Sequence, residues 1–414
     1  MAYTKDSLQR LFQSKFNLPK WQMVLQDYFH ADKVRKSPEA LDEDAEERKG
    51  YFLGETMTKD GYKMGFFYYG MEDGSVLRRK VGLRNLIRPY LGYDFDAALA
   101  VFNDGKNWRL SLICDLKGDA EATNAKRFTY VFGDEKAFYK TPVKRFVDLQ
   151  KKADEYLEIK NAFSVEALSD DFFDEYRKQY AEFVKFLTGK VYVKKGNKWI
   201  EQEVGEPDEQ FFTSFGKDEK LVRDYIKKMM GRIVFLYFLQ SKGWLGGNLH
   251  YMHDLFDNAS DAVKADFLDK VLEPMFFGLL NTKPEDRATA PLVNGVGVKY
   301  IPDAETIPYL NGGLFQQEQI DEVDSRFPAK MFQSLFDFFD SYNFTIDEND
   351  PNDAEVGVDP EMLGKIFENL LEDNKDKGAF YTPKEIVRYM CQESLIAYLQ
   401  TGIEDEETKK SIAN

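Results

Sequence analysis

Histidine and cysteine are both scarce in this sequence. Its 414 residues contain three histidines and two cysteines. Cys114 and Cys391 lie far apart, each in an apolar context, so the sequence predicts a reducing, cytoplasmic location with no disulfide framework. His250 and His253 are three residues apart, but there is no Cys-x-x-Cys pair to accompany them, so we expect no zinc site or other metal site here.

Long hydrophobic runs are also missing. No apolar run approaches the length of about 18 residues that a membrane-spanning helix needs. The first residues, MAYTKDSLQRLFQSKF, lack the apolar core of a signal peptide. The sequence therefore predicts no membrane association.

Positive charge is in deficit, because 56 Lys and Arg face 72 Asp and Glu for a net charge of −16. Such a balance argues against a protein that coats DNA with its whole surface, but it permits a local basic patch. One acid-free stretch of eleven residues supplies such a patch: Arg78, Arg79, Lys80, Arg84 and Arg88. Two interpretations stay open, a solvated helix face and a set of contacts to DNA phosphates.

What the sequence has in abundance is apolar and aromatic residues, at 43% and 15%, which is enough for two to four domains with sizeable cores. Residues 1–148 are predicted to form a mixed α/β domain. Val34 to Gly50 is charged and indicates a loop or an exposed helix. The predicted strands are 51–53, 63–69, 97–103, 109–114 and 127–132.

Residues 149–345 are predicted to be mainly helical, with a small hairpin at 191–204. The longest predicted helix covers 220–240 and is apolar nearly all round after Met229, so it should be central to its domain. Its first half carries four basic residues. We favour a solvated face over a DNA contact for them: Arg223, Lys227, Lys228 and Arg232.

Residues 359–398 combine two amphipathic helices with a polar linker. Asp359 and Pro360 suit the start of the first helix. Thr382 to Glu385, TPKE, is a capping box with proline at the first helical position, and it predicts a second helix from Pro383 to about Leu399. By spacing alone, residues 378–383 are a turn followed by a helix cap.

The same stretch resembles the segment called motif X in adenine-specific DNA methyltransferases. The resemblance rests on GKIFENLLE at 364–372 followed by KGAFYTP at 377–383, in that order. It implies methyl transfer from S-adenosylmethionine to the adenine amine. It also implies that six residues border the cofactor: Gly378, Ala379, Phe380, Tyr381, Thr382 and Pro383.

Earlier segments resemble the front half of fused, type IIG-like restriction-modification enzymes. These segments are RRKVGLRNLIRPYL, AALAVFNDGKNWRLSLI and KRFTYVFG in the first domain, and RIVFLYFLQSKGWL and IPYLNGGLF in the helical connector. The resemblance implies that double-stranded DNA is the partner. It also implies that the first domain is a PD-(D/E)xK nuclease module, whose carboxylates hold Mg²⁺ and whose lysine orients water.

The nuclease pattern is incomplete in this sequence. The only (D/E)xK at a predicted strand end is Asp115-Leu116-Lys117, and its upstream partner would be Asp94, Asp96 or Asp104. Such a tripeptide arises by chance in an acidic chain. We therefore favour a degenerate module used for DNA contact or scaffolding, and expect Mg²⁺ only if the module is active.

Together these observations predict an α+β protein: a nuclease-like domain at 1–148, a helical connector at 149–345 and the helical start of a methyltransferase domain at 346–414. No D-P-A-C-G-S-G-type loop and no N-P-P-Y or D-P-P-Y occurs in the 414 residues. We therefore expect this chain to be inactive by itself, as part of a protein whose cofactor-binding and target-recognition regions are missing here. The alternative is a non-catalytic DNA-binding or scaffold module.

Overall fold

The chain forms two compact units, Met1–Asp359 and Pro360–Asn414. Both helices and a large sheet are present, which confirms the α+β class. The computed structural model describes residues 3–41, 49–72, 76, 83–91, 94–114, 126–133, 140–163, 165–195, 198–310, 312–344, 353–355, 357–358, 360, 364 and 384–401.

Seven strands of the first unit form one mixed sheet in the order β1-β2-β3-β4-β5-β6-β9, and β7 and β8 form a separate hairpin. Their bounds are β1 Lys33–Ala40, β2 Lys49–Met57, β3 Lys63–Gly70, β4 Ala97–Asn103, β5 Trp108–Cys114, β6 Lys126–Phe132, β7 Lys190–Lys195, β8 Lys198–Glu203 and β9 Asp353–Glu355. All five predicted strands and the predicted hairpin are therefore confirmed, with bounds shifted by a few residues.

The described helices precede, interrupt and follow the sheet. They are α1 Lys5–Gln13, α2 Leu18–Asp27, α3 Leu83–Ile87, α4 Lys140–Leu149, α5 Tyr156–Ala162, α6 Val165–Thr188, α7 Glu209–Thr213, α8 Glu219–Ser241, α9 Tyr251–Asp257, α10 Asp261–Lys264, α11 Ala329–Asp340 and α12 Lys384–Gln400. Two π-helical segments, Leu268–Leu272 and Pro274–Leu280, lie between α10 and α11.

The centre of the sheet is buried on both faces, as the near-continuous apolar sequences of β4 and β5 predict. One face packs against Val76, Leu83 and Ile87 of the segment between β3 and β4. The other face receives α1, where Phe12 stacks on Phe132 of β6 with ring centroids 4.3 Å apart. The sheet therefore has two hydrophobic layers, one from each side.

The helical part is built around α8, as the sequence predicts. Asp218 caps its first turn by accepting hydrogen bonds from the backbone N–H groups of Lys220 and Leu221. Most side chains from Met229 to Gln240 are buried. Tyr237 of α8 packs against Phe339 of α11 with ring centroids 4.8 Å apart.

Two strands appear where the sequence predicts none. β1 occupies part of the charged stretch expected to be a loop or exposed helix, and β9 lies in an acidic stretch near residue 353. β1 is an edge strand with a register shift, mostly exposed, so its charged residues need no apolar alternation. β9 pairs with β6 over three residues. Pairing with a neighbouring strand, rather than local pattern, creates both elements.

In the second unit, α12 confirms the helix that the capping box predicts, although Thr382 itself lies outside the described residues. Ile386, Val387, Met390 and Leu395 of α12 are exposed. Residues 361–363 and 365–371 of the first predicted helix also lie outside the described residues. Among the helices described, none combines the length and apolarity that crossing a membrane requires.

Candidate functional site

Most of the residues that the sequence nominates fall outside the described part of the chain. This applies to Gly378, Ala379, Phe380, Tyr381, Thr382 and Pro383, to Asp115 and Lys117, and to Arg78, Arg79 and Lys80. Arg84 lies in α3, whose backbone is described, and Arg88 is exposed at the start of the following 3-10 turn. The structure does describe the edge of the sheet at which β5 ends, at Cys114, the residue before Asp115.

The register of β4 and β5 decides which upstream aspartate lies near that edge. The two strands are antiparallel, with Ala97 opposite Cys114 and Asn103 opposite Trp108. Asp96 directly precedes β4, so it lies at the edge where β5 ends. Asp104 directly follows β4, at the opposite edge, roughly 26 Å away for eight extended residues.

Asp104 has a structural role at its own edge. Its Oδ1 accepts hydrogen bonds from the backbone N–H groups of Lys106 and Asn107, at 3.0 and 2.8 Å. Its Oδ2 accepts one from the N–H of Val76, at 3.0 Å. Asp104 is buried and shapes the turn between β4 and β5. Asp104 therefore lies at the opposite end of the strands from Cys114, the last described residue of β5.

Asp96 is held at the strand start by the neighbouring parallel strand β3. Its Oδ2 accepts a hydrogen bond from the backbone N–H of Lys63, at 2.9 Å, and its own N–H donates to the Lys63 carbonyl at the same distance. Asp94, by contrast, is exposed. Of the three candidate aspartates, Asp96 alone combines the right edge with a fixed side chain.

Two lysines and a glutamate extend this edge across β3, β2 and β1. Lys63 Nζ lies 3.0 Å from Glu55 Oε2, and Lys33 Nζ lies 2.8 Å from Glu55 Oε1. The hydrogen bonds from Lys33 and then Lys63 hold the pKa of Glu55 below its usual range. Sequence reasoning missed this trio, since only the pairing of three strands brings it together.

Aromatic packing closes the other side of the same edge. The Tyr62 and Tyr156 rings lie 4.5 Å apart, and Asp60 accepts hydrogen bonds from the first N–H groups of α5. The Cys114 thiol is fully buried. The pKa of Tyr156 is raised, first by the burial of Tyr156 itself and second by the neighbouring Cys114 thiol. The end of β5 is therefore tightly packed, with little room for solvent beside Cys114.

The described residues by themselves do not make a metal centre. Mg²⁺ prefers carboxylate and other oxygen ligands. At this edge Glu55 is engaged by two lysines. Asp96 and Asp60 each accept hydrogen bonds from backbone N–H groups, and Asp94 is exposed. Within the described ranges, no group of three His, Cys, Asp or Glu residues is arranged to hold a metal ion.

Comparison with known proteins gives a partial match. Over 175 residues, the chain is 29% identical to a Methanocaldococcus jannaschii protein whose name reads "Putative type II restriction enzyme and methyltransferase". The chain is similar to a restriction-modification protein. The aligned stretch makes up 40% of this chain but spans only 14% of that protein. No protein-family model matches the chain, and no solved structure matches it.

The basic face predicted on α8 is not a free surface. Arg232 is buried, and its guanidinium donates to both carboxylate oxygens of Asp321, at 2.6 and 2.9 Å. Lys228 Nζ also reaches Asp321, at 2.9 Å. The sequence interpretation of a solvated face is wrong for Arg232, because a carboxylate some ninety residues later folds back onto it.

Proposed function

We propose that this chain is part of a restriction-modification protein that methylates adenine in DNA with S-adenosylmethionine as the methyl donor. The similarity to the Methanocaldococcus jannaschii protein carries this proposal, because the name of that protein combines restriction with methylation. The order GKIFENLLE, then KGAFYTP, supports the adenine-specific class. A protein of this kind works on chromosomal DNA, so we place it in the cytoplasm.

The chemistry follows from the need to reach an exocyclic amine that is stacked inside a duplex. A base-modifying enzyme flips the target base and aligns amine, methyl group and leaving sulfur. S-adenosylmethionine supplies the electrophilic methyl when bound. Gly378, Ala379 and Phe380 would shape the approach to it, and Tyr381, Thr382 and Pro383 would form one wall.

Sequencing of native DNA with detection of N6-methyladenine tests this proposal in the organism that carries the gene. We expect methyladenine at a recurrent short sequence, lost on deletion and not restored by a Tyr381→Ala copy. A Tyr389→Ala copy is the control, because Tyr389 is an exposed aromatic residue of α12. An unchanged methylation pattern after deletion would reject the proposal.

For the first domain we propose a nuclease-like module with a degenerate site, which contacts DNA or serves as a scaffold. The observation that favours this role is the sheet edge itself. Glu55 is neutralised by Lys33 and Lys63, and Asp96 is engaged by the backbone of β3. Too little free carboxylate remains among the described residues there for magnesium chemistry.

A nicking assay on supercoiled plasmid with Mg²⁺ tests the degenerate site. We expect no cutting above background at ordinary enzyme concentrations, and no difference between the wild-type chain and Asp115→Ala. Cutting that disappears in both Asp115→Ala and Asp96→Ala, but persists in Asp104→Asn, would show a working nuclease and overturn this assignment.

A further inference from the structure

The helical part of the first unit contains a cavity of about 540 Å³. Its walls are the turn after α8, helix α9, the start of α10 and the loop at 300–303. The volume lies within the roughly 300–1,000 Å³ that is usual for ligand-binding pockets. Its described lining comes entirely from residues 246–263 and 300–303.

Internal hydrogen bonds fix the walls of this cavity. Asn248 Nδ2 donates to Asp254 Oδ2 at 2.9 Å, which ties the turn to α9. The Tyr251 hydroxyl donates to the Pro302 carbonyl at 3.2 Å, which ties α9 to the loop at 300–303. Asp303 has a left-handed backbone, φ 51°, and its carbonyl accepts from the N–H of Thr306 at 2.9 Å. The shape is therefore set before any ligand arrives.

The lining is negatively charged. Asp254 and Asp303 line the cavity, and its described lining includes no Lys or Arg. None of the described side chains forms a hydrogen bond or ion pair with the Asp303 carboxylate. Burial, and then the charges of Asp303 and Glu305, raise the pKa of Tyr251. The hydroxyl of Tyr251 therefore stays neutral within a negative local field.

This charge selects the class of ligand. Phosphates and carboxylates are repelled, so nucleic-acid backbones and nucleotides do not fit. A cation is attracted to this charge. Tyr300 lines the cavity, and Lys299 Nζ already lies 5.3 Å from the centroid of its ring. An aromatic ring of this kind favours a planar cation that can stack on its face. A guanidinium group satisfies both conditions and can also form paired hydrogen bonds to a carboxylate.

The surroundings of the cavity favour a polypeptide as the source of that cation. Trp244 and Leu249 lie in the same turn as the wall residues Gly246 and Asn248, with 50% and 40% of their surface exposed. Residues on either side of a bound arginine can cover these two side chains, whereas a small free cation cannot. We propose that this cavity binds an arginine side chain presented by a partner polypeptide.

Isothermal titration of the full chain with three blocked tripeptides tests this proposal. The probes are acetyl-Leu-Arg-Leu-amide, the same peptide with uncharged citrulline, and the same peptide with lysine. We expect saturable binding of the arginine peptide with a sub-millimolar Kd, and at least tenfold weaker binding of the other two. Spermidine, a cation without a guanidinium, should also bind at least tenfold more weakly.

Variants locate the binding. Asp303→Asn should weaken the arginine peptide about tenfold, and asparagine tolerates the left-handed backbone at this position. Asp32→Asn removes another exposed carboxylate, in the N-terminal part, and should change nothing. The proposal fails if no peptide saturates by 10 mM, if citrulline, lysine or spermidine binds as well as arginine, or if Asp303→Asn binds like the wild type.

Discussion

At the scale of single residues, two buried carboxylates in the helical part have pKa values shifted in opposite directions. Burial acts to raise the pKa of Asp321, but hydrogen bonds from Arg232 and Lys228 outweigh it and hold the pKa below its usual range. No described Lys or Arg hydrogen-bonds Glu273, although the charge of Arg232 acts to lower its pKa. Its Oε2 accepts one hydrogen bond from Asn294 at 2.8 Å. Burial therefore raises the pKa of Glu273 to about 7.

The raised pKa of Glu273 makes stability depend on pH. The folded state holds its proton more tightly than the unfolded chain does, so the stabilisation is complete below about pH 4.5 and is lost as pH rises to about 7. Glu273→Gln should abolish this loss, because Gln does not titrate and can still accept from Asn294. We expect the variant to gain roughly 2 kcal/mol over the wild type between pH 5 and pH 8.

Urea denaturation of both proteins at pH 5 and at pH 8 measures this difference. Glu285→Gln is a suitable control, since Glu285 is an exposed residue of the same part of the chain. If the gap between wild type and Glu273→Gln is the same at both pH values, Glu273 is not protonated in the folded state.

At the scale of elements, the Arg232–Asp321 ion pair connects α8 to the segment before α11. Both side chains are only 3% exposed, so solvent screens the pair little. Removing one partner leaves a charge buried without compensation, which typically costs about 3–5 kcal/mol. The ion pair therefore stabilises the contact between α8 and a segment far from it in sequence.

Asp321→Asn should therefore lower the free energy of unfolding by roughly 3 kcal/mol. Asp174→Asn is the matched control, because its partner Arg177 lies on the exposed surface of α6 and such pairs contribute at most about 1 kcal/mol. Thermal unfolding of the two variants compares them directly. Equal melting temperatures would contradict a structural role for the buried pair.

The segment containing α3 packs an apolar side on the sheet, and the sequence predicts a second, basic side for it. Leu83 and Ile87 enter the core on one face of the sheet. Arg84 directly follows Leu83, and Arg88 directly follows Ile87. The two arginines are therefore four residues apart, the spacing of neighbours on one helix face, and Arg88 is exposed. This division suits an element that packs on the sheet while presenting cations to phosphates.

Fluorescence anisotropy with duplex DNA tests that surface. We expect weak, sequence-independent, strongly salt-dependent binding, reduced alike on every duplex by changing Arg84 and Arg88 to Glu. Changing Arg177 and Lys185 of α6 to Glu introduces the same charge elsewhere and is the control. Binding that is unaltered by the first pair, or equally reduced by the second, would count against the patch.

At the scale of the whole molecule, the chain divides into a large unit that carries both the sheet and the helical part and a second unit that carries α12. The motif X resemblance lies in the second unit, and no D-P-A-C-G-S-G-type loop occurs in the 414 residues to complete a cofactor pocket. One wall is a small part of a pocket that normally covers most of its ligand.

We therefore expect negligible binding of S-adenosylmethionine by the 414-residue chain. Isothermal titration should show no saturation at micromolar ligand. Micromolar affinity that Tyr381→Ala abolishes would reveal a pocket that neither the sequence nor the described structure indicates. Affinity that survives Tyr381→Ala would place such a pocket elsewhere in the chain.

The sequence by itself determined the α+β class, the five strands and the hairpin, and helices such as α8 and α12, because apolar periodicity and capping residues are local signals. It also carried the resemblance to restriction-modification proteins. Only the tertiary structure decided that Asp96 rather than Asp104 lies at the end of β5, since that depends on strand register. It also decided that Glu55 meets two lysines, that Arg232 is buried against Asp321 and that β1 and β9 are strands. Each of these depends on residues distant in the chain, which local sequence patterns do not specify.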